Sequence, residues 1–233
     1  MKAMIFAAGL GTRLRPLTDN LPKALVDVNG RPLLQLVLRR LAAAGVTEFI
    51  VNTHHFHEKI EEFLRAKSEY KVKLSREAAF PLETGGGLKQ AAAFFYDGKP
   101  FFAYNADVYS EMDLPALYAA HLASGALATL AVRDRASKRK LIFDADMNLK
   151  GRQDGEVPAG HKAFAFSGIQ VLSPGIFEKM SETGVFSVTG VYLRLAAAGE
   201  KVKGCLDESP FWLDIGDLAR LEAVRQRSAG RTQ

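Results

Sequence analysis

Residues 4–27 read Met-Ile-Phe-Ala-Ala-Gly-Leu-Gly-Thr-Arg-Leu-Arg-Pro-Leu-Thr-Asp-Asn-Leu-Pro-Lys-Ala-Leu-Val-Asp. The first four residues are apolar and predict a buried strand, after which the chain enters a turn with Gly9 and Gly11. Glycine reaches backbone conformations that other residues avoid, so main-chain N–H groups in such a turn can converge on phosphate oxygens. Arg13 and Lys23 add positive charge to the same stretch. The stretch 4–27 therefore predicts an anion-binding loop at the end of a strand.

The spacing in this loop argues against two common phosphate-binding motifs. The P-loop requires Gly-Lys followed by Ser or Thr, and that tripeptide occurs nowhere in the chain. The dinucleotide fingerprint G-x-G-x-x-G matches at Gly9 and Gly11 but meets Leu14 where its third glycine belongs. Pro16 also prevents an immediate helix. We therefore expect neither Walker chemistry nor a Rossmann cofactor site.

The chain has 233 residues, 48% of them hydrophobic, which is enough for a full core and predicts a single domain over 1–233. Short apolar runs alternate with helical patterns, which is typical of an α/β fold with a mainly parallel sheet flanked by helices. The predicted strands are 4–7, 49–52, 72–75, 101–104, 126–132, 141–143 and 163–172, and the predicted helices are 32–44, 57–66, 87–95, 114–123 and two more before the C-terminus. Gly45 is expected to end the first helix, and residues 151–160 to form a mobile loop.

The charge and the cysteine content restrict which partners and which cellular compartment the protein can have. The net charge of +5 is modest and the longest basic tract is the triplet 138–140, so a polyanionic small substrate explains it without nucleic acid. Cys205 is the single cysteine, and no His/Cys spacing resembles a zinc site. No apolar run approaches the length of a membrane span. We expect a cytoplasmic monomer or small homo-oligomer without nucleic-acid or membrane partners.

Two polar residues, Asn105 and Asp107, appear where the strand at 101–104 ends. In open α/β sheets ligands bind at the carboxyl ends of the strands, so Asp107 should face the same crevice as the glycine loop. Mg²⁺ bound to phosphate oxygens is usually held by one or two carboxylates. Asp107 is therefore predicted to be a Mg²⁺ ligand, and the alternative is an aspartate that caps the next turn.

The glycine loop resembles the signature of a known enzyme family. Gly9-Leu10-Gly11-Thr12-Arg13-Leu14-Arg15-Pro16-Leu17-Thr18, followed by Pro22-Lys23-Ala24-Leu25, is similar to the pattern G-x-G-T-R-L-x-P-L-T and P-K-x-L of sugar-1-phosphate nucleotidyltransferases. The resemblance implies transfer of a nucleotidyl group from an NTP to a sugar 1-phosphate, with Mg²⁺ as cofactor. The residues it implies in nucleotide binding are Ala8, Gly9, Gly11, Thr12, Arg13 and Lys23. Arg13 and Lys23 are also implied to be catalytic.

The same resemblance implies the architecture and a second carboxylate. The fold would be a Rossmann-like, GT-A-like single domain, with residues of about 1–110 binding nucleotide and about 111–233 binding sugar phosphate. Trp212-Leu213-Asp214-Ile215-Gly216 resembles the family's W-x-D-[IV]-G segment, whose aspartate is a metal ligand. Asp214 and Asp107 are thus implied to form the catalytic metal site. Asp217 is instead predicted to cap the terminal helix.

Two further segments carry implied substrate contacts. Glu83-Thr84-Gly85-Gly86-Gly87 resembles the family's E-T-G-G-G segment, which lies against the nucleobase, so contacts from Glu83, Thr84, Gly85 and Gly86 are implied. This version of the segment disfavours dTTP. Asn105 is implied to contact both nucleotide and sugar, and Gly168 to lie under the sugar. The family's E-K-P triad is missing, which leaves Lys162 and Arg139 as candidates for the sugar-phosphate cation.

Within the family, the chain most resembles short single-domain members that act on N-acetylmuramic acid 1-phosphate with UTP in cell-wall recycling. The first alternative is a mannose-1-phosphate guanylyltransferase, followed by a cytidylyltransferase for phosphocholine or a related alcohol phosphate. A non-catalytic, nucleotide-binding regulatory subunit is the alternative from another class. It is disfavoured because a regulator has no need for the complete set of Arg13, Lys23, Asp107 and Asp214.

Overall fold

The computed structural model describes residues 1–230 and confirms the alternation of strands and helices. In that range the strands are β1 (Lys2–Phe6), β2 (Asp27–Val28), β3 (Arg31–Pro32), β4 (Glu48–Thr53), β5 (Lys71–Arg76), β6 (Phe101–Asn105), β7 (Val108–Ser110), β8 (Ala128–Arg133), β9 (Lys140–Phe143), β10 (Leu149–Arg152), β11 (Lys162–Leu172), β12 (Val202–Leu206) and β13 (Trp212–Asp214). The helices are α1 (Leu33–Ala43), α2 (His57–Arg65), α3 (Glu83–Gln90), α4 (Leu114–Ser124), α5 (Val188–Ala197) and α6 (Leu218–Ala229). Among the described residues no helix is both long and apolar enough to cross a membrane.

The chain divides into two compact units. Unit 1 contains Met1–Pro81, Tyr104–Glu111 and residues 210–230, and unit 2 contains Leu82–Ala103 and Met112–Ser209. This division does not follow a single cut near residue 110. The assignment of nucleotide to residues of about 1–110 and of sugar phosphate to about 111–233 stays a prediction.

Unit 1 contains the parallel strands. β4 lies between β1 and β5 and is parallel to both, with Asn52 opposite Phe6 on one side and Ser75 on the other. The last two residues of β6 lie on the free side of β1, where the N–H of Ala106 donates to the carbonyl of Phe6 at 3.0 Å. The polar segments that follow β1, β4, β5 and β6 therefore leave the sheet at the same edge.

Unit 2 is mostly antiparallel. β11 pairs with β9 through its first residues and with β8 through its later ones, β10 pairs with β9, and β12 runs parallel to β8. Gly168 has φ 75°, and the β11–β8 register shifts between Phe166 and Gln170, so the glycine lies in a bulge. The prediction of a mobile loop at 151–160 is partly wrong, because the first two of these residues belong to β10.

The first helix shows how the periodic pattern translates into packing. Leu34, Val37, Leu38 and Leu41 recur every three or four residues and are at most 2% exposed. They form the apolar stripe that a helix needs against a sheet. Gly45 follows the helix with φ 91°, a left-handed conformation that glycine adopts without steric cost, which confirms its predicted role in ending the helix.

A separate apolar cluster in unit 1 ties the glycine loop to the C-terminal segment. Its buried members are Leu14, Val26, Val28, Leu33, Ile215, Leu221 and Val224. Burial of each such side chain stabilises the folded state by about 1.5–3 kcal/mol relative to exposure. Leu14 belongs to the loop and Ile215 to the W-L-D-I-G segment, so this cluster holds the two motifs in one core.

The glycines of α3 have a packing role within unit 2. The N–H groups of Gly85 and Gly86 both donate to the carbonyl of Phe186, at 2.9 and 3.3 Å. A Cβ atom on Gly85 would lie 2.4 Å from Cδ2 of Phe186, and one on Gly86 would lie 2.5 Å from the carbonyl oxygen of Gly184. Only glycine allows α3 to approach the 184–186 segment this closely.

Replacing Gly85 with alanine is therefore expected to destabilise the fold by about 2–3 kcal/mol, because the new methyl group overlaps a ring and a carbonyl oxygen. Urea denaturation followed by far-UV circular dichroism measures the change. Gly190→Ala is the control, since Gly190 lies in α5 with open space around it and should gain about 0.5–1 kcal/mol. Equal unfolding free energies for Gly85→Ala and the wild type would contradict this packing.

Candidate active site

The glycine loop leaves β1 in an ordered conformation. Ala7 and Ala8 are buried, whereas Gly9, Thr12 and Arg13 are exposed. Thr12–Leu14 forms a short 3-10 helix. Within that turn the N–H of Leu14 donates to the carbonyl of Gly11 at 2.9 Å, and the hydroxyl of Thr18 donates to the same carbonyl at 2.8 Å. These two hydrogen bonds to the carbonyl of Gly11 fix the conformation of the loop, while its exposed residues remain accessible to solvent.

Both the backbone conformation and the close packing at position 11 require glycine. Its φ is 66°, and a Cβ atom there would lie 2.9 Å from Cβ of Lys23 and 3.1 Å from Cγ2 of Thr18. Lys23 begins a second 3-10 helix, Lys23–Leu25, directly after Pro22. The glycine therefore lets the loop pack against the base of the lysine side chain, which brings the two parts of the sequence motif together.

Lys23 forms an ion pair with Oδ2 of Asp107. Its side chain is 14% exposed and that of Asp107 is 32% exposed, so the pair is partly shielded from water. A shielded pair of this kind is stronger than a surface pair, because less solvent screens the charges. The structure thus joins two residues that the sequence placed 84 positions apart and predicted to be catalytic.

Asp214 comes next to Asp107 through a short ribbon. β7 and β13 pair antiparallel with Asp214 opposite Val108, and the N–H of Ile215 donates to the carbonyl of Asp107 at 2.8 Å. Both predicted metal ligands therefore lie at one end of the same ribbon in unit 1. Asn105, at the end of β6, belongs to this unit as well.

Arg220 is a site residue that the sequence analysis missed. Its guanidinium group forms an ion pair with Asp214, and a second carboxylate, that of Asp217, lies 3.5 Å from Nε. Asp217 caps α6 as predicted, since Oδ1 accepts from the N–H of Arg220 at 2.9 Å. A signal was available: a cation in the first turn of a helix is unfavourable for the helix dipole, which indicates another reason for its presence.

Arg13 lies against the backbone of the C-terminal motif. A Cβ atom on Gly216 would lie 3.1 Å from Nη2 and 3.2 Å from Nη1 of Arg13. A Cβ atom at 216 would require the guanidinium group to shift by a few tenths of an ångström. The last glycine of W-L-D-I-G therefore makes room for the predicted catalytic arginine, a role that the sequence analysis did not assign.

These residues suit a divalent cation carried by a polyphosphate. Oδ1 of Asp214 is buried against Arg220, and Asp107 pairs with Lys23, so each carboxylate has a cation as its present counter-charge. Carboxylate oxygens are the donors that Mg²⁺ prefers. Residues 1–230 contain no group of three or more His, Cys, Asp or Glu side chains that could hold a metal ion together. Two carboxylates with phosphate oxygens and water would match the usual Mg²⁺ coordination, and the ligand assignment stays a prediction.

The remaining predicted contact residues belong to unit 2. Glu83 is exposed and has φ 58°, an uncommon conformation for a non-glycine residue, and the hydroxyl of Thr84 accepts from the N–H of Val188 at 3.1 Å. The N–H groups of Gly85 and Gly86 are engaged by Phe186. Gly168 is buried in its bulge, while Lys162 and Arg139 are exposed. The roles of all these residues with nucleotide or sugar stay predictions.

Comparison with known proteins gives a consistent result. The profile of the nucleotidyl transferase family matches residues 2–229. The N-acetylmuramate alpha-1-phosphate uridylyltransferase of Neisseria meningitidis serogroup B (strain ATCC BAA-335 / MC58) is 36% identical over 231 residues, 97% of this chain and 97% of that protein. Mannose-1-phosphate guanylyltransferase 1 of Arabidopsis thaliana is 33% identical over 226 residues, 93% of this chain and 61% of the plant protein.

Solved structures show the same fold. The crystal structure of HddC from Yersinia pseudotuberculosis complexed with GMP-PN superposes with a TM-score of 0.79 at 23% sequence identity, covering 97% of this chain and 99% of that one. The predicted fold class, a mixed sheet flanked by helices of the nucleotide-diphospho-sugar transferase type, is thereby confirmed.

Proposed function

The chain belongs to the nucleotidyl transferase family, and from that premise we propose that it transfers the uridylyl group of UTP to N-acetylmuramic acid 1-phosphate with Mg²⁺ as cofactor. Its reaction class, sugar-1-phosphate nucleotidyl transfer, is shared by the two relatives described above. The specific substrates are supported by the 36% identity to the Neisseria enzyme, which extends over 97% of both chains.

The observation that carries the proposal is the charge arrangement in unit 1. Lys23 pairs with Asp107 on the same ribbon that holds Asp214, and Arg13 and Arg220 lie against the segment that contains Asp214. Three cations therefore accompany the two predicted metal ligands, and Asp217 lies beside Arg220 as a third carboxylate. Such a set suits a triphosphate and a sugar phosphate, which repel each other unless their charges are neutralised.

The chemistry needs alignment more than it needs a base. An oxygen of the sugar phosphate attacks the α-phosphorus of the NTP and forms a new P–O bond. The bond between the α-phosphorus and the oxygen that bridges it to the β-phosphorus breaks, and pyrophosphate leaves with that oxygen. A phosphomonoester has a second pKa of about 6, so near neutral pH the attacking group is already a dianion. No catalytic Ser, Cys or His is required. The protein supplies in-line positioning and charge stabilisation.

Each residue then has a defined proposed task. Arg13 binds the leaving pyrophosphate, and Lys23 turns from Asp107 to neutralise the α-phosphate and the sugar phosphate. Asp107 and Asp214 would hold Mg²⁺, which would neutralise charge on the phosphate oxygens. Backbone N–H groups of the exposed loop residues Gly9, Leu10 and Thr12 would complete the phosphate contacts.

A second candidate is a mannose-1-phosphate guanylyltransferase. It is favoured by the 33% identity to the Arabidopsis enzyme over 93% of this chain, and the E-T-G-G-G segment at the start of α3 is compatible with either base. The phosphocholine-type cytidylyltransferase and the regulatory subunit have no comparable support. The cytoplasmic compartment and the oligomeric state stay predictions.

Pyrophosphate release with Mg²⁺ tests the proposal across ATP, GTP, CTP, UTP and dTTP, each against N-acetylmuramic acid, glucosamine and mannose 1-phosphates and phosphocholine. UTP with N-acetylmuramic acid 1-phosphate should exceed every other pair in kcat/KM by about tenfold or more. Reactions without acceptor and with EDTA are the controls. A preference for GTP with mannose 1-phosphate would overturn the substrate assignment. If no pair released pyrophosphate although the chain still bound nucleotide, the regulatory alternative would be favoured.

A further inference from the structure

We propose that Asn52, held in orientation by Glu77, is a positioning residue for the nucleotide-binding loop. Both residues are buried polar groups of unit 1, each 2% exposed, and neither belongs to the motifs discussed above. Asn52 lies near the end of β4, and Glu77 follows β5. This inference rests on the proposed function, because it assumes that the loop after β1 binds the phosphates of an NTP.

The hydrogen bonds run from Glu77 through Asn52 to the first residue of the loop. Nδ2 of Asn52 donates to Oε1 of Glu77 at 2.6 Å, and Oδ1 of Asn52 accepts from the N–H of Ala7 at 2.8 Å. Ala7 is the first residue after β1, at the point where the chain leaves the sheet and turns toward Gly9. The side chain of Asn52 therefore continues the β1–β4 contact by one residue beyond its backbone ladder.

Glu77 and the N–H of Ala7 together determine which way the Asn52 amide points. A carboxylate accepts hydrogen bonds and does not donate them, so the NH₂ group of Asn52 must face Glu77 and its oxygen must face Ala7. Both backbone polar groups of Glu77 are hydrogen-bonded as well. Its N–H donates to the carbonyl of Thr53 at 2.8 Å, and its carbonyl lies 2.6 Å from Nδ1 of His54, which is the donor of that pair.

A buried carboxylate is expensive to keep, because it loses hydration that protein partners only partly replace. A neutral side chain could fill this space without that penalty. The carboxylate gives the NH₂ group of Asn52 a fixed acceptor, which adds to the cost of flipping the amide. The backbone of Ala7 is thereby set before a ligand arrives, and with it the direction in which Ala8 and Gly9 present their N–H groups. Preorganisation of this kind is what oxyanion and phosphate sites depend on.

Asn52→Ala is therefore expected to weaken UTP binding by about thirtyfold, because loss of the Ala7 contact lets the loop amides drift from the phosphates. Isothermal titration calorimetry with Mg²⁺ and UTP, without any sugar phosphate, measures this. Glu77→Ala should give a similar loss, whereas Glu77→Gln should retain affinity within about threefold, because its Oε1 still accepts from Asn52. The Asn52→Ala/Glu77→Ala double variant should lose no more than either single one.

Thr129→Val is the matched control. Thr129 is 2% exposed and its hydroxyl pairs with Nδ1 of His121 at 2.9 Å in unit 2, so this variant also breaks a buried polar contact, but none that reaches the loop. It should lower the unfolding free energy and leave UTP affinity unchanged. If Asn52→Ala does not fold, the UTP affinities of Glu77→Ala and Glu77→Gln test the same contact.

Hydrogen exchange gives a readout that needs no ligand. In Asn52→Ala the amide of Ala7 should exchange about tenfold faster or more than in the wild type, with the strand residues of β1 unchanged. UTP affinity in Asn52→Ala within twofold of the wild type would overturn this inference alone. A wild-type chain that binds no nucleotide at all would instead overturn the proposed function.

Discussion

Replacing Asp107 with asparagine is expected to lower the rate of pyrophosphate release by about a thousandfold or more while leaving the fold intact. The change removes one of the two proposed Mg²⁺ ligands and the partner of Lys23, yet keeps the size of the side chain. The carbonyl of Asp107, which accepts from Ile215, is unaffected, so the ribbon should persist. Steady-state kinetics with the preferred substrate pair and thermal unfolding of each variant provide the two measurements.

Asp217→Asn is the matched control for this variant. It makes the same chemical change three residues from Asp214, at a position that caps α6, and asparagine caps helices about as well as aspartate. Its rate should stay within about threefold of the wild type, while Asp214→Asn should fall as far as Asp107→Asn. Near-native turnover by Asp107→Asn with Mg²⁺ would show that this carboxylate is not a metal ligand.

Lys23→Met is expected to lower kcat by about a hundredfold or more. Methionine fills much of the space against Gly11 but leaves the α-phosphate without its proposed counter-charge. It also leaves Asp107 without its partner, so some loss of stability should accompany the loss of rate. Lys23→Arg should recover only part of the activity, because the larger guanidinium group does not reproduce the geometry of the ammonium group.

Lys201→Met controls for the general loss of a positive charge. Lys201 donates to the carbonyl of Ser124 at the surface of unit 2, and its replacement should change kcat by less than about twofold. Equal rates for Lys23→Met and Lys201→Met would show that the charge of Lys23 has no part in the transition state. Initial rates at saturating concentrations of both substrates separate kcat from any change in KM.

The sequence predicted the elements whose patterns are long enough to read. The period of α1 and the apolar runs of β1, β4, β5 and β6 give their positions to within a few residues. The strand ends then indicate where polar residues meet, which is why Asp107 could be related to the glycine loop. The three-residue strands β7 and β13 were not predicted, because so short a run has no detectable period.

Residues that act through tertiary contacts were also missed. Arg220 and Gly216 lie in or beside the C-terminal motif, but their partners, Asp214 and Arg13, are known only from the folded chain. Asn52 and Glu77 lie 25 positions apart in the chain, and only the register of the parallel sheet brings their side chains together. In α3 the sequence suggested glycines for base recognition, and the structure adds a packing reason, the close approach of Phe186.

Mn²⁺ binding, followed by electron paramagnetic resonance in the presence of a non-hydrolysable UTP analogue, is the most direct test of the proposed metal–nucleotide site. Mn²⁺ replaces Mg²⁺ at oxygen ligands and is directly observable. The wild type should bind one Mn²⁺ with the nucleotide. Asp107→Asn and Asp214→Asn should each bind Mn²⁺ at least about tenfold more weakly, and the double variant should lose the signal of bound Mn²⁺. Wild-type Mn²⁺ binding by the double variant would contradict the assignment of both carboxylates.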